Sequence, residues 1–235
     1  MKSSVYELEN LIDGFKLSCQ TEGKSPRTIE WYSSFLSRFV CFLKFKEFPT
    51  DIGMLGKNHV KAFILYLQTE VKTPFNHKPL SSSSVQGYVR TLKVFFAWAT
   101  REDYIQSNPM TKIPVTKSRA KVINTFSPEQ IVKISSACQD GANAIRDIAM
   151  LLLMLDCGLR VSELVNLKVE DVNLAEGYVK ISAGKGNKDR MVPIGSFVQK
   201  MIWKYLNHSR PQPMTEKIAR LFLSGDGLPL TRNGV

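Results

Sequence analysis

The chain has 235 residues, 43% of them hydrophobic and 10% aromatic, which is enough to bury one large core or two ordinary ones and too apolar for a disordered tail. Lys and Arg number 32 against 21 Asp and Glu, a net charge of +11 that suits a polyanionic partner, because each phosphate neutralised releases condensed counterions. The longest apolar run, residues 148–155, is too short to span a bilayer, and the three histidines (His59, His77, His208) lack metal-ligand spacing, so membrane and zinc functions are set aside. Cys19, Cys41, Cys138 and Cys157 form no Cys-x-x-Cys pair and read as reduced thiols of a cytoplasmic protein. Charge is uneven along the chain: residues 1–124 carry a net +8 and residues 125–235 a net +3.

The first hundred residues read as four amphipathic helices. Val5, Leu8, Leu11, Ile12 and Phe15 recur at helical spacing, as do Ile29, Tyr32, Leu36, Phe39, Val40 and Leu43 in a second segment. Val60, Phe63, Ile64 and Leu67 mark a third, and Val85, Tyr88, Val89, Leu92, Phe95, Phe96 and Ala99 a fourth. Gly23, Pro26, Pro49, Gly53, Pro74 and Pro79 punctuate the breaks between them. Four such helices predict a small bundle around one shared core.

Residues 108–124 differ in character, with Pro109 and Pro114 interrupting a run that holds Lys112, Lys117, Arg119 and Lys121 and no acid. This is the composition of a basic linker, either simply solvated or following a phosphate backbone. Helical pattern resumes at Ser127, where Pro128 and Gln130 complete a capping box. A very apolar stretch from Ala144 to Cys157 ends at Gly158 and predicts a central core helix, and Ser162 is placed to cap a short helix through Leu167. Residues 178–182 and 190–194 read as a β-hairpin around a glycine-rich turn, and residues 197–207 as a further helix.

Two short strings carry the chemistry. Cys157-Gly158-Leu159-Arg160-Val161-Ser162-Glu163-Leu164 places an arginine directly after a glycine-terminated helix, a rigid corner suited to bidentate contact with phosphate. Gly184-Lys185-Gly186-Asn187-Lys188-Asp189-Arg190 sets cations on a hairpin tip. Either string alone also fits an ordinary ion pair between Arg160 and Glu163 or a solvated turn, and the second is no P-loop, which needs a longer glycine loop ending in Gly-Lys-Ser/Thr.

In this order, about 25 residues apart, the two strings resemble the tyrosine recombinases of the phage integrase family, Xer-like members included. The resemblance covers nearly the whole chain. Ser25-Pro26-Arg27-Thr28 with Tyr32, and Val94-Phe95-Phe96-Ala97-Trp98-Ala99, resemble the family's core-binding domain; Phe126-Ser127-Pro128-Glu129-Gln130-Ile131 resembles the opening of its catalytic domain. It implies a mainly α fold with a small antiparallel β-sheet: a four-helix, SAM-like core-binding bundle at residues 1–108, a basic linker at 109–124, and the N-terminal part of an α+β catalytic domain at 125–235.

The resemblance further implies site-specific DNA cleavage and rejoining through a 3′-phosphotyrosine, with no metal and no cofactor. Arg160 matches the arginine that stabilises charge on the scissile phosphate, Lys185 the hairpin lysine that protonates the departing 5′-oxygen, and Glu163 an acidic position that supports the arginine. The implied partners are double-stranded DNA and other recombinase protomers, with no membrane and a nucleoid-associated location. Because family members clamp the duplex with two bundle helices facing the major groove, Arg27, Thr28, Arg38, Ser83, Ser84, Arg90 and Lys93, together with Lys121 and Lys188, are the expected DNA contacts.

One departure stands out. The family's later His-x-x-Arg box and nucleophilic tyrosine have no match after Lys185: His208 is followed by Ser209-Arg210, and Tyr205 lies in an amphipathic segment where packing is its expected role. The chain therefore reads as truncated at its C-terminal side, able to bind DNA and not to cleave it. The alternative is a naturally truncated, non-catalytic DNA-binding protein of a mobile element.

Overall fold

The computed structural model describes residues 6–73, 77–115, 124–139, 141, 143–182 and 189–235. The chain divides into two compact units, Met1–Val122 and Ile123–Val235.

In the first unit the expected helices form as α1 (Leu8–Thr21), α2 (Pro26–Phe45), α3 (Lys57–Thr69) and α4 (Ser82–Arg101). Serine side chains start two of them. Ser25 Oγ accepts the Thr28 N–H at 3.2 Å with Pro26 opening α2, and Ser81 Oγ accepts the Ser84 N–H at 3.2 Å. Each helix turns one apolar stripe inward, and the stripes meet in a single core rich in aromatic rings. Phe63 lies fully buried between Phe39 at 4.9 Å and Phe42 at 5.2 Å, and Phe15 packs edge-on to Phe95 at 5.4 Å. Met110 and Ile113, beyond α4, are buried in the same core.

The second unit opens with α5 (Pro128–Gln139), where the Ser127 N–H donates to Gln130 Oε1 at 2.9 Å and the Gln130 N–H donates to Ser127 Oγ at 3.3 Å. Next come α6 (Ala144–Cys157) and α7 (Val161–Asn166). Three antiparallel strands follow, β1 (Val172–Asn173), β2 (Tyr178–Ile181) and β3 (Arg190–Pro193), in spatial order β1-β2-β3. Register is set by Val172 opposite Val179, Tyr178 opposite Pro193 and Ile181 opposite Arg190. Val179 and Ile181 point from alternate positions of β2 into a core shared with Leu153, Leu164, Ile194 and Ile202.

Three details depart from the sequence expectation. The apolar helix α6 buries one stripe, Ala149, Met150 and Leu153, rather than its whole circumference, and Leu155 stays 43% exposed. The N-cap of α7 is Arg160, not Ser162. The last helix, α8 (Ser196–Lys204), passes into a π-helical turn, Tyr205–Ser209. That wide turn closes when the Arg210 N–H donates to the Tyr205 carbonyl at 2.7 Å, and it lets the Arg210 guanidinium reach the carbonyls of Leu221 (3.0 Å) and Arg220 (2.8 Å).

Replacing Phe63 with Ala removes the ring on which Phe39 and Phe42 pack. Urea denaturation is expected to show a loss of about 3–5 kcal/mol, the usual cost of a fully buried aromatic truncation.

Candidate functional site

The site begins with a helix end. Gly158 terminates α6 in the left-handed region, φ 59° and ψ 34°, with its N–H donating to the Met154 carbonyl. Buried Leu159 then anchors the chain, and Arg160 starts α7 from an extended conformation. No Cβ neighbour crowds Gly158, so the need for glycine there is conformational.

Glu163, one turn into α7, accepts four hydrogen bonds. Its Oε2 takes the Arg160 backbone N–H at 2.9 Å, which caps the helix, and its Oε1 takes Arg160 Nη1 at 2.8 Å. From β3, Arg190 donates Nη1 to Oε1 at 2.9 Å and Nη2 to Oε2 at 2.8 Å, a bidentate pair. The carboxylate side chain is only 5% exposed, whereas those of Arg160 and Arg190 are 57% and 37% exposed. The Arg190 pair, helped by both Arg160 contacts, outweighs desolvation and draws the Glu163 pKa down from 4.5 to about 2. Two guanidinium groups on one carboxylate leave a net positive cluster, and Arg160 contributes only Nη1 to the side-chain pairing, so much of its fork faces solvent. Such a group, fixed at its base and open at its tip, can receive a phosphate oxygen without first being ordered.

Sequence reasoning assigned Glu163 to supporting Arg160 and overlooked Arg190 as the second partner. The signal was present, since Arg190 closes the lysine string, but a pairing across 27 residues has no local periodicity to reveal it. Lys185 and Lys188 lie outside the described residues, as does Lys121. The strands that flank the lysine string are described, and they place Arg190 directly opposite Ile181.

Tyr205 is fully buried. Its hydroxyl accepts the Leu223 N–H at 3.1 Å, its ring packs on Phe222 at 5.3 Å, and burial raises its pKa. These are the marks of a core tyrosine.

In the first unit, Thr28 belongs to the serine–threonine cluster at the start of α2, its Oγ1 2.8 Å from Ser25 Oγ. Arg27 is exposed and pairs with Glu30 at 3.0 Å. Ser83 and Ser84 gather around Ser81 Oγ at 2.9 and 2.8 Å at the start of α4. Arg38 reaches across from α2 to lie 5.9 Å over the Tyr88 ring of α4, and Arg90 is exposed further along α4. Lys93, one turn beyond Arg90 on α4, lines a hollow with Phe15, Glu22, Lys24 and Arg101. Among the described residues no group of three or more His, Cys, Asp or Glu is placed to hold a metal, and no helix is long and apolar enough to cross a membrane.

An exposed arginine held by a buried glutamate, on an α+β unit that follows a basic helical bundle, defines a class. Residues 124–235 match the phage integrase family and residues 11–106 match the phage integrase N-terminal SAM-like domain. The chain belongs to this family of tyrosine recombinases. It is 32% identical over 233 residues to the tyrosine recombinase XerD of Listeria innocua, covering 97% of this chain and 75% of that protein. It is likewise 33% identical over 231 residues to XerD of Staphylococcus haemolyticus, with the same two coverages. In fold it is similar to the Tn1549 transposon integrase in complex with a circular intermediate DNA, at a TM-score of 0.73, 18% identity and coverage of 98% of this chain and 75% of that one. A lambda integrase dimer bound to a COC′ core site also gives 0.73, at 16% identity and coverage of 98% and 61%.

Because the folded pKa of Glu163 is depressed, the stability it confers is complete above pH 4.5 and is lost as the pH falls toward about 2. The shift corresponds to on the order of 2–3 kcal/mol, the lower figure allowing for solvent around the partly exposed arginines. Acid titration of unfolding should therefore show Glu163→Gln less stable than wild type by about that amount at neutral pH, with the two curves converging near pH 2. Equal curves throughout would refute the assignment. Gly158→Ala, strained by its positive φ, is expected to cost about 1 kcal/mol in the same assay.

Proposed function

We propose that this polypeptide performs the DNA-binding and phosphate-recognition share of site-specific recombination. The observation that carries the reading is Arg160, anchored by the buried Glu163 carboxylate with its side chain 57% exposed. In the proposed reaction Arg160 stabilises the charge that builds on the scissile phosphate as it becomes pentacoordinate. Lys185 protonates the departing 5′-oxygen, and Glu163 holds Arg160 in place.

Residues 1–108 act as the DNA-binding arm, residues 109–124 as a basic linker whose first turn is seated in the bundle core through Met110 and Ile113, and residues 125–235 as the portion that presents the phosphate-binding groups. Thr28, Ser83 and Ser84, at helix starts, suit phosphate oxygens; Arg27, Arg38 and Arg90 suit phosphate or base edges; Lys93, Lys121 and Lys188 add charge along the backbone. The partners are double-stranded DNA and further protomers on the same DNA. The DNA-bound state of the Tn1549 and lambda integrases supports this reading.

The covalent step of such a reaction is attack by a tyrosine hydroxyl on phosphorus, with the 5′-oxygen leaving and a 3′-phosphotyrosine formed. Within these 235 residues the one tyrosine after Lys185 is Tyr205, buried and hydrogen-bonded to the backbone. The polypeptide by itself is thus a binder and not a cutter.

Two measurements on the 235-residue polypeptide test this. Its affinity for duplex DNA should fall by roughly a thousandfold or more between about 50 and 200 mM salt, as expected for several phosphate contacts; salt-insensitive binding would refute the phosphate-contact reading. On a nicked suicide duplex it should give no denaturant-resistant protein–DNA band, and a phosphotyrosyl adduct would overturn the claim that it does not cleave.

A further inference from the structure

The contact between α2 and α4 carries an aromatic and cationic row that phosphate recognition does not explain. Trp31, 55% exposed, lies 5.5 Å from Phe35; Phe35 stacks on Tyr88 with centroids 4.0 Å apart at 27°; and Arg38 lies over the Tyr88 ring, 5.9 Å from its centre. Gly87 allows the rings to meet, since a Cβ there would stand 3.0 Å from Phe35 Cε2. Trp31, Phe35 and Arg38 occupy positions i, i+4 and i+7 of α2 and so share one face.

Each part has a physical consequence. The Phe35–Tyr88 stack fixes the root of Trp31 and leaves its outer surface open to solvent. Tyr88, itself buried, offers a π-face that holds the Arg38 guanidinium and lowers the cost of ordering it on binding. The exposed charge nearby is cationic on balance, with Arg38 and Arg90 exposed and Glu30 already paired to Arg27. An exposed tryptophan beside an oriented arginine on a basic helical face suits the major groove. There the thymine methyl is the apolar group a ring can cover, and guanine O6 and N7 accept a bidentate arginine.

Resting on the DNA-binding reading above, we propose that this row reads base sequence, with Trp31 packing on a thymine 5-methyl group and Arg38 donating to the O6 and N7 of a guanine in the same half-site. Seven residues of helix rise about 10 Å, about three base-pair steps at 3.4 Å each. The thymine and the guanine should therefore lie within about four base pairs of one another.

The test is selection of bound duplexes from a random-sequence pool at fixed salt, using the 235-residue polypeptide, Trp31→Ala, Arg38→Ala and, as a control away from the row, Leu17→Ala, which alters a 62% exposed side chain on α1. Wild type and Leu17→Ala should enrich one motif containing that thymine and guanine. Trp31→Ala should lose the thymine preference, and Arg38→Ala should lose about tenfold in discrimination at the guanine. Retained helical circular dichroism would show that both variants are folded, and affinity of Trp31→Ala for non-cognate duplex within about threefold of wild type would show that this variant still holds the backbone. A measurement that needs no variant replaces the thymine with deoxyuridine in the selected duplex, which removes only the methyl group and should weaken wild-type binding several-fold. If wild type binds no duplex, the DNA-binding reading falls and this inference with it. If wild type binds but enriches no motif, or if the motif survives both substitutions and the deoxyuridine exchange, the row does not read bases while DNA binding stands.

Discussion

A carboxylate shared by two guanidinium groups organises the second unit. Glu163 draws in the backbone and side chain of Arg160 on one side and the side chain of Arg190 on the other. It therefore ties the junction of α6 and α7 to the first residue of β3, two segments that share no local sequence. A buried carboxylate with one partner would be costly, because attraction to a single cation seldom compensates for lost hydration. With four donors around it the charge is satisfied, and the depressed pKa records that balance. The exposed tip of Arg160 inherits its orientation from this arrangement, and so does the start of the strand that follows the lysine string.

The first unit works on a different principle. Its order comes from a ring-filled core, where aromatic contacts add roughly 0.5–1.5 kcal/mol each beyond the burial of their area. Its surface ion pairs, such as Lys44 with Glu9 or Arg101 with Glu22, involve exposed side chains and contribute little to stability. A bundle held from inside leaves its outer face free to carry charge without loss of the fold. Hydroxyl clusters open α2 and α4, the same two helices that meet through Phe35, Gly87 and Tyr88.

Much of this was legible in the sequence. Helical spacing located the four stripes of the bundle, the Ser127–Gln130 capping box formed with both of its bonds, and Gly158 took the left-handed conformation that its position after an apolar run suggested. What escaped was long-range or too small for periodicity. Arg190 was visible as a charge but not as the partner of Glu163. Strand β1 has two residues, fewer than an alternation needs. The cap of α7 comes from Glu163 reaching back rather than from Ser162 reaching forward, a pairing that needs the helix start to be known. The π-turn after α8 depends on Arg210 reaching toward Leu221, which no spacing rule foretells. The row of Trp31, Phe35 and Tyr88 escaped because it forms between two helices, across Gly87, where the spacing within either helix gives no sign of it.

The placement of Arg190 at the head of β3 also guards the alignment of the sheet. Side chains alternate faces along a strand, so sliding β3 by one residue against β2 would carry Arg190 away from Glu163 and bring a neighbour toward it. That neighbour is Met191 in one direction and Asp189 in the other. A thioether would leave the carboxylate short of donors, and a second carboxylate would repel it. Electrostatics thus acts as a proofreader of strand alignment, adding to the register that Val179 and Ile181, buried on one face of β2, already favour.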